Sequence, residues 1–338
     1  MNIYDYTLKD LEEYFLSIGE KKFKALQVYD WLYQKRKTSF DEFSNLKKEL
    51  IARLKEEFTL NDITIIKHEE DKDVSKFLFE LADGEKIEAV LLNHNYGKSV
   101  CISSEVGCNM GCKFCESGRL KKRRELKPHE MVLQILLIES VLNVKITSVV
   151  IMGIGEPFDN YDNIIKFISI INEAHGLAIG SRHITVSTCG LVPKIKEFAD
   201  FNLQVNLAIS LHAPTDNIRN QIMPISRRYN LQELFEAIDY YINKTNRRVT
   251  IEYVMLKGIN DSPQNALELA NLLKGRLVYV NLILYNETSN IGYKRTLKKD
   301  VDKFYEVLSK NGINVTVRRE YGSKISAACG QLRSKYEK

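Results

Sequence analysis

Apolar side chains in roughly the first sixty residues recur every three or four positions, the spacing of one helix face. Leu8, Leu11, Phe15 and Ile18 follow Thr7-Leu8-Lys9-Asp10 and stop at Gly19, which predicts a first helix. Phe23, Leu26, Tyr29, Leu32 and Tyr33 predict a second over residues 22–36. Ser39-Phe40-Asp41-Glu42 reads as the capping box of a third that runs to about residue 58. From about residue 61 the period drops to two. Residues 63–67, 76–81 and 86–92 read as strands, with Asp83-Gly84 as a two-residue hairpin turn.

Beyond residue 98, short β-rich runs alternate with helical stretches. Strands are expected at 99–103, 146–152, 183–187, 204–210, 249–255, 279–284 and 314–318. Helices are expected at 129–142, 161–174, 193–200, 231–243, 263–273 and 299–311. Such alternation builds a parallel sheet through crossover connections, either open or curled into a complete or partial barrel. Ligands then sit at the C-terminal ends of the strands. The expected organisation is a helical accessory domain at 1–60, a β-meander linker at 61–97, an α/β domain at 98–320 and a C-terminal segment at 321–338.

The 338 residues are 44% hydrophobic and 28% charged, ordinary values for a protein with a sizeable core. No run approaches the ~20 apolar residues that span a bilayer, and the first residues form neither a basic nor an apolar leader. A soluble, cytoplasmic protein without a membrane partner is expected. A net charge of +5 permits a nucleic-acid partner without identifying one. Six cysteines (Cys101, Cys108, Cys112, Cys115, Cys189 and Cys329) in a chain of this kind favour metal or redox chemistry over a disulfide scaffold.

Cys108-Asn109-Met110-Gly111-Cys112-Lys113-Phe114-Cys115 follows the strand at 99–103, so its three thiols share a loop at a strand's C-terminal end. A structural zinc needs a fourth close ligand, usually from a second Cys or His pair, and the sequence has neither. Three thiolates can hold a 4Fe–4S cluster and leave one iron open to a cofactor or substrate. Gly107 and Gly111 supply backbone freedom, and Phe114 is placed to shield the cluster. One βα unit later, Met152-Gly153-Ile154-Gly155-Glu156-Pro157 ends a strand in a glycine-rich turn.

The cysteine run, with an aromatic before its last member, resembles the signature of radical S-adenosylmethionine (SAM) enzymes. In that superfamily the open iron chelates SAM, and electron transfer cleaves SAM to methionine and a 5′-deoxyadenosyl radical. The glycine-rich turn is similar to the segment that contacts the SAM amino group. Val100-Cys101-Ile102-Ser103-Ser104, Ile184-Thr185-Val186-Ser187-Thr188, Ser210-Leu211-His212-Ala213-Pro214 and Met223-Pro224-Ile225 narrow the resemblance. So do Gly258-Ile259-Asn260-Asp261-Ser262, Val280-Asn281-Leu282-Ile283 and Ala327-Ala328-Cys329-Gly330-Gln331-Leu332. In this order they resemble the bacterial RNA adenine methyltransferases that modify C2 of an adenosine in 23S rRNA and tRNA.

The resemblance implies a (βα)6-type partial barrel carrying a 4Fe–4S cluster on Cys108, Cys112 and Cys115. It implies SAM contacts at Gly155, Glu156, Ser187, Ser210, Leu211, His212 and Asn286. Cys329 matches the cysteine that accepts a methyl group from one SAM. A radical from a second SAM then activates that group for addition to the purine. Cys101 matches the cysteine that forms a disulfide with Cys329 at product release, and Glu88 the glutamate assigned as proton acceptor. Cys189 matches no family role. Implied partners are 23S rRNA, tRNA and a flavodoxin- or ferredoxin-type electron donor, with a monomeric enzyme.

Lys121-Lys122-Arg123-Arg124 is expected to contact phosphates beside the site, and Arg227-Arg228, Arg247-Arg248 and Arg318-Arg319 recur downstream. The target base would have to leave its stack. Departures from the family pattern are Glu116-Ser117-Gly118 for Ala-Thr-Gly, Glu105 where Gln is common, and Leu284-Tyr285-Asn286 without the usual proline. Val106 and Glu156-Pro157 look like the C2 enzymes, whereas Asn109 to Cys115 resembles the relatives that methylate C8. C2 is favoured. The remaining rivals are a radical SAM enzyme acting on a peptide or small molecule and a non-catalytic zinc RNA-binding protein.

Overall fold

The computed structural model describes residues 1–288 and 291–318. Three short helices come first: α1 (Leu8–Ser17), α2 (Lys24–Tyr29), which continues as a π-helical turn over Asp30–Gln34, and α3 (Lys48–Glu57). Thr7 and Asp10 form the expected capping box on α1. The expected third helix is broken. Ser39 caps only the short 3-10 turn Phe40–Glu42, and α3 restarts at Lys48, because Phe40, Phe43 and Leu46 all turn into the core. These helices pack on α4 (Pro128–Leu142) and on the chain after α5 (Tyr161–Asn172). Asp5 accepts from the backbone N–H of His129 at 2.9 Å, Gln34 donates to the Gly176 carbonyl at 2.6 Å, and Arg36 pairs with Glu139.

Strands β1 (Ile63–Asp71), β2 (Val74–Leu81) and β3 (Lys86–His94) form the meander. The turn between β2 and β3 spans three residues rather than two. The Leu81 N–H donates to the Glu85 carbonyl, and Gly84 takes the left-handed conformation (φ +80°) of a bulged hairpin. The meander is continuous with the main sheet. β3 pairs antiparallel with β4 (Gly97–Ile102), and from β4 onward every neighbour is parallel: β7 (Ser148–Ile151), β8 (Ile184–Thr188), β9 (Asn206–Ser210), β10 (Val249–Met255), β11 (Val278–Leu284) and β12 (Val315–Val317). The crossovers use α4, α5, α6 (Val192–Ala199), α8 (Leu231–Thr245), α9 (Pro263–Leu273) and α10 (Lys298–Lys310). The sheet order runs β1-β2-β3-β4-β7-β8-β9-β10-β11-β12, and among the described residues β1 and β12 do not pair, so the barrel is partial.

Alternation along the strands sorts the two faces. Ile87, Ala89, Leu91, Val100, Ile102, Val149, Ile151, Val186 and Ile209 join the helices in the main core. Their neighbours, including Glu88, Val90, Cys101, Val150, Ser187 and Ser210, face the concave side. Three elements had no expectation: β5 (Glu105–Val106) and β6 (Arg124–Glu125), which pair with each other, and α7 (Asp216–Ile222), capped by Thr215.

Candidate active site

The strand ends after β4, β7, β8, β9 and β11 converge on one cavity of about 1010 Å³, counting its open mouth. Cys108, Cys112 and Cys115 line it together with Gly153, Gly155, Glu156, Ser187, Ser210, His212 and Asn286. The cysteine loop is tied down at both ends: the Cys108 N–H donates to the Leu120 carbonyl (2.9 Å) and the Lys113 N–H to that of Ile222 (2.9 Å). Gly107 (φ +77°) passes so close to the returning chain at Lys121 and Lys122 that a Cβ there would collide with the Lys121 carbonyl. Phe114 is buried and meets the His212 ring edge-on at 4.8 Å.

The glycine-rich turn is held from below. Ser103 Oγ donates to the Glu88 carbonyl (2.6 Å) and accepts from the Ile154 N–H (3.0 Å), and a Glu105 carboxylate oxygen accepts from the Glu156 N–H (2.8 Å). Gly155 (φ +112°) leaves no room for a side chain, since a Cβ would sit 2.7 Å from atoms of both Glu105 and Ser104. Glu156 is buried and accepts from the backbone N–H of Phe158 (3.0 Å) and of Cys189 (2.8 Å). Its carboxylate therefore fixes the turn and the end of β8, while burial pushes its pKa up.

His212 has a left-handed backbone (φ +57°) and accepts at Nδ1 from the Val254 N–H (3.0 Å), which puts its ring proton on Nε2. Burial, followed by the charge of Arg219, lowers its pKa to about 3, so the ring is neutral. Leu211, expected beside it, does not line the cavity; its side chain belongs to the main core.

One family model, described as the radical SAM superfamily, matches residues 102–270, and a second, the ribosomal RNA large subunit methyltransferase N-terminal domain, matches residues 1–60. A probable dual-specificity RNA methyltransferase RlmN of Streptococcus mutans is 54% identical, covering 98% of this chain and 95% of its own length. A protein of the same description from Enterococcus faecalis is also 54% identical, covering 100% and 97%. The crystal structure of a radical SAM methyltransferase from Sphaerobacter thermophilus superimposes with a TM-score of 0.95 at 40% identity, covering 99% of this chain and 100% of that one. This chain belongs to the radical SAM RNA methyltransferases.

Membership brings a 4Fe–4S cluster and SAM as cofactors, and the residues present fit them. The cavity wall gathers the thiols of Cys108, Cys112, Cys115 and Cys189 with the buried acid Glu156. Burial pushes the Cys112 thiol up to about 12 and raises that of Cys108 as well. Ligation to iron reverses that shift, because a coordinating thiol gives up its proton. Among the described residues no three His, Cys, Asp or Glu side chains converge on a single-ion position.

Glu88 and Cys101 lie on the concave face of β3 and β4, outside the lining of the cysteine cavity. Cys101 is buried among Val74, Val90, Leu92 and Ile154. Glu88 is buried in an ion pair with Lys76 at 2.6 Å. Cys329 lies outside the described residues.

The basic run corrects an expectation. Lys122 pairs with Glu105 (2.6 Å) and Asp159 (2.9 Å), Arg123 with Glu85 (2.6 Å), and Arg124 with Asp83 (2.6 Å) and both oxygens of Glu130 (2.8 Å each). Three of the four cations hold the β5–β6 pair to the meander, the glycine-rich turn and α4. Lys122 and Arg124 are thereby largely covered, whereas Lys121 and Arg123 remain on the surface.

Sequence reasoning also missed residues. Cys189 lines the same cavity, and Arg219, fully buried on α7, donates to the carbonyls of Cys189 (2.6 Å) and Leu211 (3.2 Å). Glu252 faces the cavity from β10 and accepts from Asn281 at 2.9 Å. No local pattern marks Arg219, because α7 is too short for its faces to be read from the sequence.

Proposed function

We propose that this chain methylates C2 of an adenosine in 23S rRNA, and of an adenosine in tRNA, by carrying the methyl group on its own Cys329. C2 lies between two electron-withdrawing nitrogens and is not nucleophilic, so direct displacement on SAM does not serve. The Cys329 thiolate takes a methyl group from SAM by displacement. When bound, the cluster and a second SAM supply the 5′-deoxyadenosyl radical that removes hydrogen from this S-methyl group. The resulting carbon radical adds to C2, and the adduct would give back one electron to the cluster that SAM cleavage left oxidised. Glu88 takes the C2 proton, and the Cys101 thiolate attacks the Cys329 sulfur, so that the sulfur–carbon bond breaks as the disulfide forms and the released methylene carbon takes up a proton to become the methyl group. Gly155, Ser187, Ser210, His212 and Asn286 bind and orient SAM. Leu211 acts behind them, its backbone tied to Arg219 and to the Glu252 carbonyl.

The observation that carries this reading is the pairing of β3 with β4, where Val90 lies opposite Cys101 and Ser103 holds the Glu88 carbonyl. An acid and a thiol thus share one face at the cluster-bearing end of the sheet. A radical SAM enzyme acting on a peptide needs neither. The relatives named as dual-specificity RNA methyltransferases support the choice of RNA over other substrates. Lys113, Lys121, Arg227 and Arg228 are exposed, and Pro224 packs beside Gly111, which brings the Arg227-Arg228 turn to the cluster loop. These cations are assigned to RNA phosphates. In this reading the enzyme works as a cytoplasmic monomer reduced by a flavodoxin- or ferredoxin-type protein.

Two variants test the division of labour. Cys101→Ala should accumulate an RNA–protein adduct that survives denaturation, and Cys329→Ala should form neither adduct nor methylated RNA. Methylation by Cys329→Ala refutes the proposal.

A further inference from the structure

The concave face of the meander carries Val74, Lys76 and Leu78 on β2, Glu88, Val90 and Leu92 on β3, and Cys101 on β4. It is largely apolar, yet a complete ion pair is buried in it. Lys76 Nζ lies 2.6 Å from a Glu88 carboxylate oxygen, and the two side chains are 6% and 5% exposed. The register sets Lys76 opposite Val90 and Val90 opposite Cys101, so lysine and thiol stand in one row. Glu88, opposite Leu78, sits one pleat nearer the cysteine loop.

A carboxyl group among Val and Leu side chains takes up a proton, because burial disfavours its charged form. A neutral acid cannot serve as a base. An ammonium within hydrogen-bond distance reverses this and favours the carboxylate. Stability alone explains the pair poorly, since apolar residues of similar volume usually do as well in such places. We infer that Lys76 is a positioning residue that keeps Glu88 ionised and oriented to take the proton from C2 of the RNA adduct. The inference rests on the reading of Glu88 given under Proposed function. In the step, once the adduct has given up its unpaired electron, the C2–H bond breaks, its electron pair stays in the purine ring and restores aromaticity, and the proton goes to the Glu88 carboxylate. Lys76, then beside a neutral acid, favours passing that proton on. Among the described residues, the other ionisable groups facing the pair are the Cys101 thiol and, one pleat further along, Glu80 and Lys86, which lie 4.0 Å apart. Glu105, on the adjoining β5, is engaged by Lys122.

The test compares Lys76→Met, Lys76→Arg and Glu88→Gln in the reconstituted holoenzyme with 23S rRNA. It scores 2-methyladenosine, 5′-deoxyadenosine and the RNA–protein adduct from pH 6 to 9. A general base contributes about 10²-fold or more. Lys76→Met and Glu88→Gln should therefore each lose methylation by about 10²-fold while still forming 5′-deoxyadenosine and adduct. Lys76→Arg should restore most of the yield. The residual activity of Lys76→Met should show its acid limb at higher pH than the parent, because Glu88 then holds its proton more tightly. If Lys76→Met does not fold, Lys76→Gln, which keeps a hydrogen bond without the charge, should show the same move of the acid limb. A folded Lys76→Met or Lys76→Gln with parental yield and acid limb, alongside an inactive Glu88→Gln, overturns the inference and leaves the reading of Glu88 standing. A fully active Glu88→Gln overturns both.

Discussion

Replacing Lys122 with methionine separates two accounts of the basic run. The Lys122 side chain is 13% exposed and that of Glu105 is 0% exposed, with the ion pair closed at 2.6 Å. Removing one partner of a buried pair costs about 3–5 kcal/mol when the remaining charge cannot escape. Here it can escape in part. Burial pushes the Glu105 carboxyl up to about 7 even though Lys122 opposes the shift, and without Lys122 the value rises further. Each pH unit below it relieves about 1.4 kcal/mol of the penalty. Lys122→Met should therefore lose about 3 kcal/mol at pH 8 and roughly half of that at pH 6. At about 2 °C per kcal/mol, the melting temperature at pH 8 falls by about 6 °C. Thermal unfolding at the two pH values reads this directly. RNA affinity measured against salt supplies the contrast. Loss of a phosphate contact lowers the salt slope by about 0.7, whereas an internal ion pair leaves it unchanged. Parental stability combined with a reduced slope would refute the reasoning.

Other consequences follow from the same contacts. Because the folded-state pKa of Glu105 lies near 7 against the usual 4.5, the native state binds its proton more tightly, and stability should fall as pH rises from 4.5 to 7; Glu105→Gln should flatten that part of a stability-versus-pH curve. Gly155→Ala places a methyl group 2.7 Å from Glu105 and Ser104 at a positive φ. It should cost about 2–4 kcal/mol by thermal unfolding and weaken SAM binding by equilibrium dialysis. At the accessory helices, burial would raise the Asp5 carboxyl, but the hydrogen bonds and charge of His129 outweigh it and hold the pKa below 3.8. Asp5→Ala should cost about 1–3 kcal/mol at neutral pH, and the loss should vanish as acid carries the parent through that lowered value, which urea titrations across pH would show.

The fold was legible because the barrel repeats one pattern. Strand runs such as those at 249–255 and 279–284 coincide almost residue for residue with β10 and β11, since an apolar strand bounded by amphipathic helices has few other readings. Short elements were not. α7 has seven residues, too few for its period to register, and β5 pairs with β6 across the cluster loop, a contact that no local pattern announces. Capping signals can also mislead: the box at Ser39 closes one 3-10 turn because Phe43 must enter the core. In the site, motif spacing found the residues whose backbones build the cavity, such as Gly155 and His212. It could not reveal that Lys122, Arg123 and Arg124 are paired internally, because their acids come from Glu85, Glu105, Glu130 and Asp159, scattered over about 75 residues. The same limit hid the partner of Glu88, which lies a full hairpin away at Lys76.

The position and origin of the new methyl group decide whether Cys329 carries it to C2. The measurement is mass spectrometry of 23S rRNA incubated with anaerobically reconstituted enzyme, reductant and SAM carrying a deuterated methyl group, with 2- and 8-methyladenosine as standards. The account predicts 2-methyladenosine that keeps two of the three methyl deuterons, since one is removed while the group is still on Cys329, together with deuterated 5′-deoxyadenosine. Product that keeps all three deuterons, methylation at C8, or methylation without 5′-deoxyadenosine would contradict it.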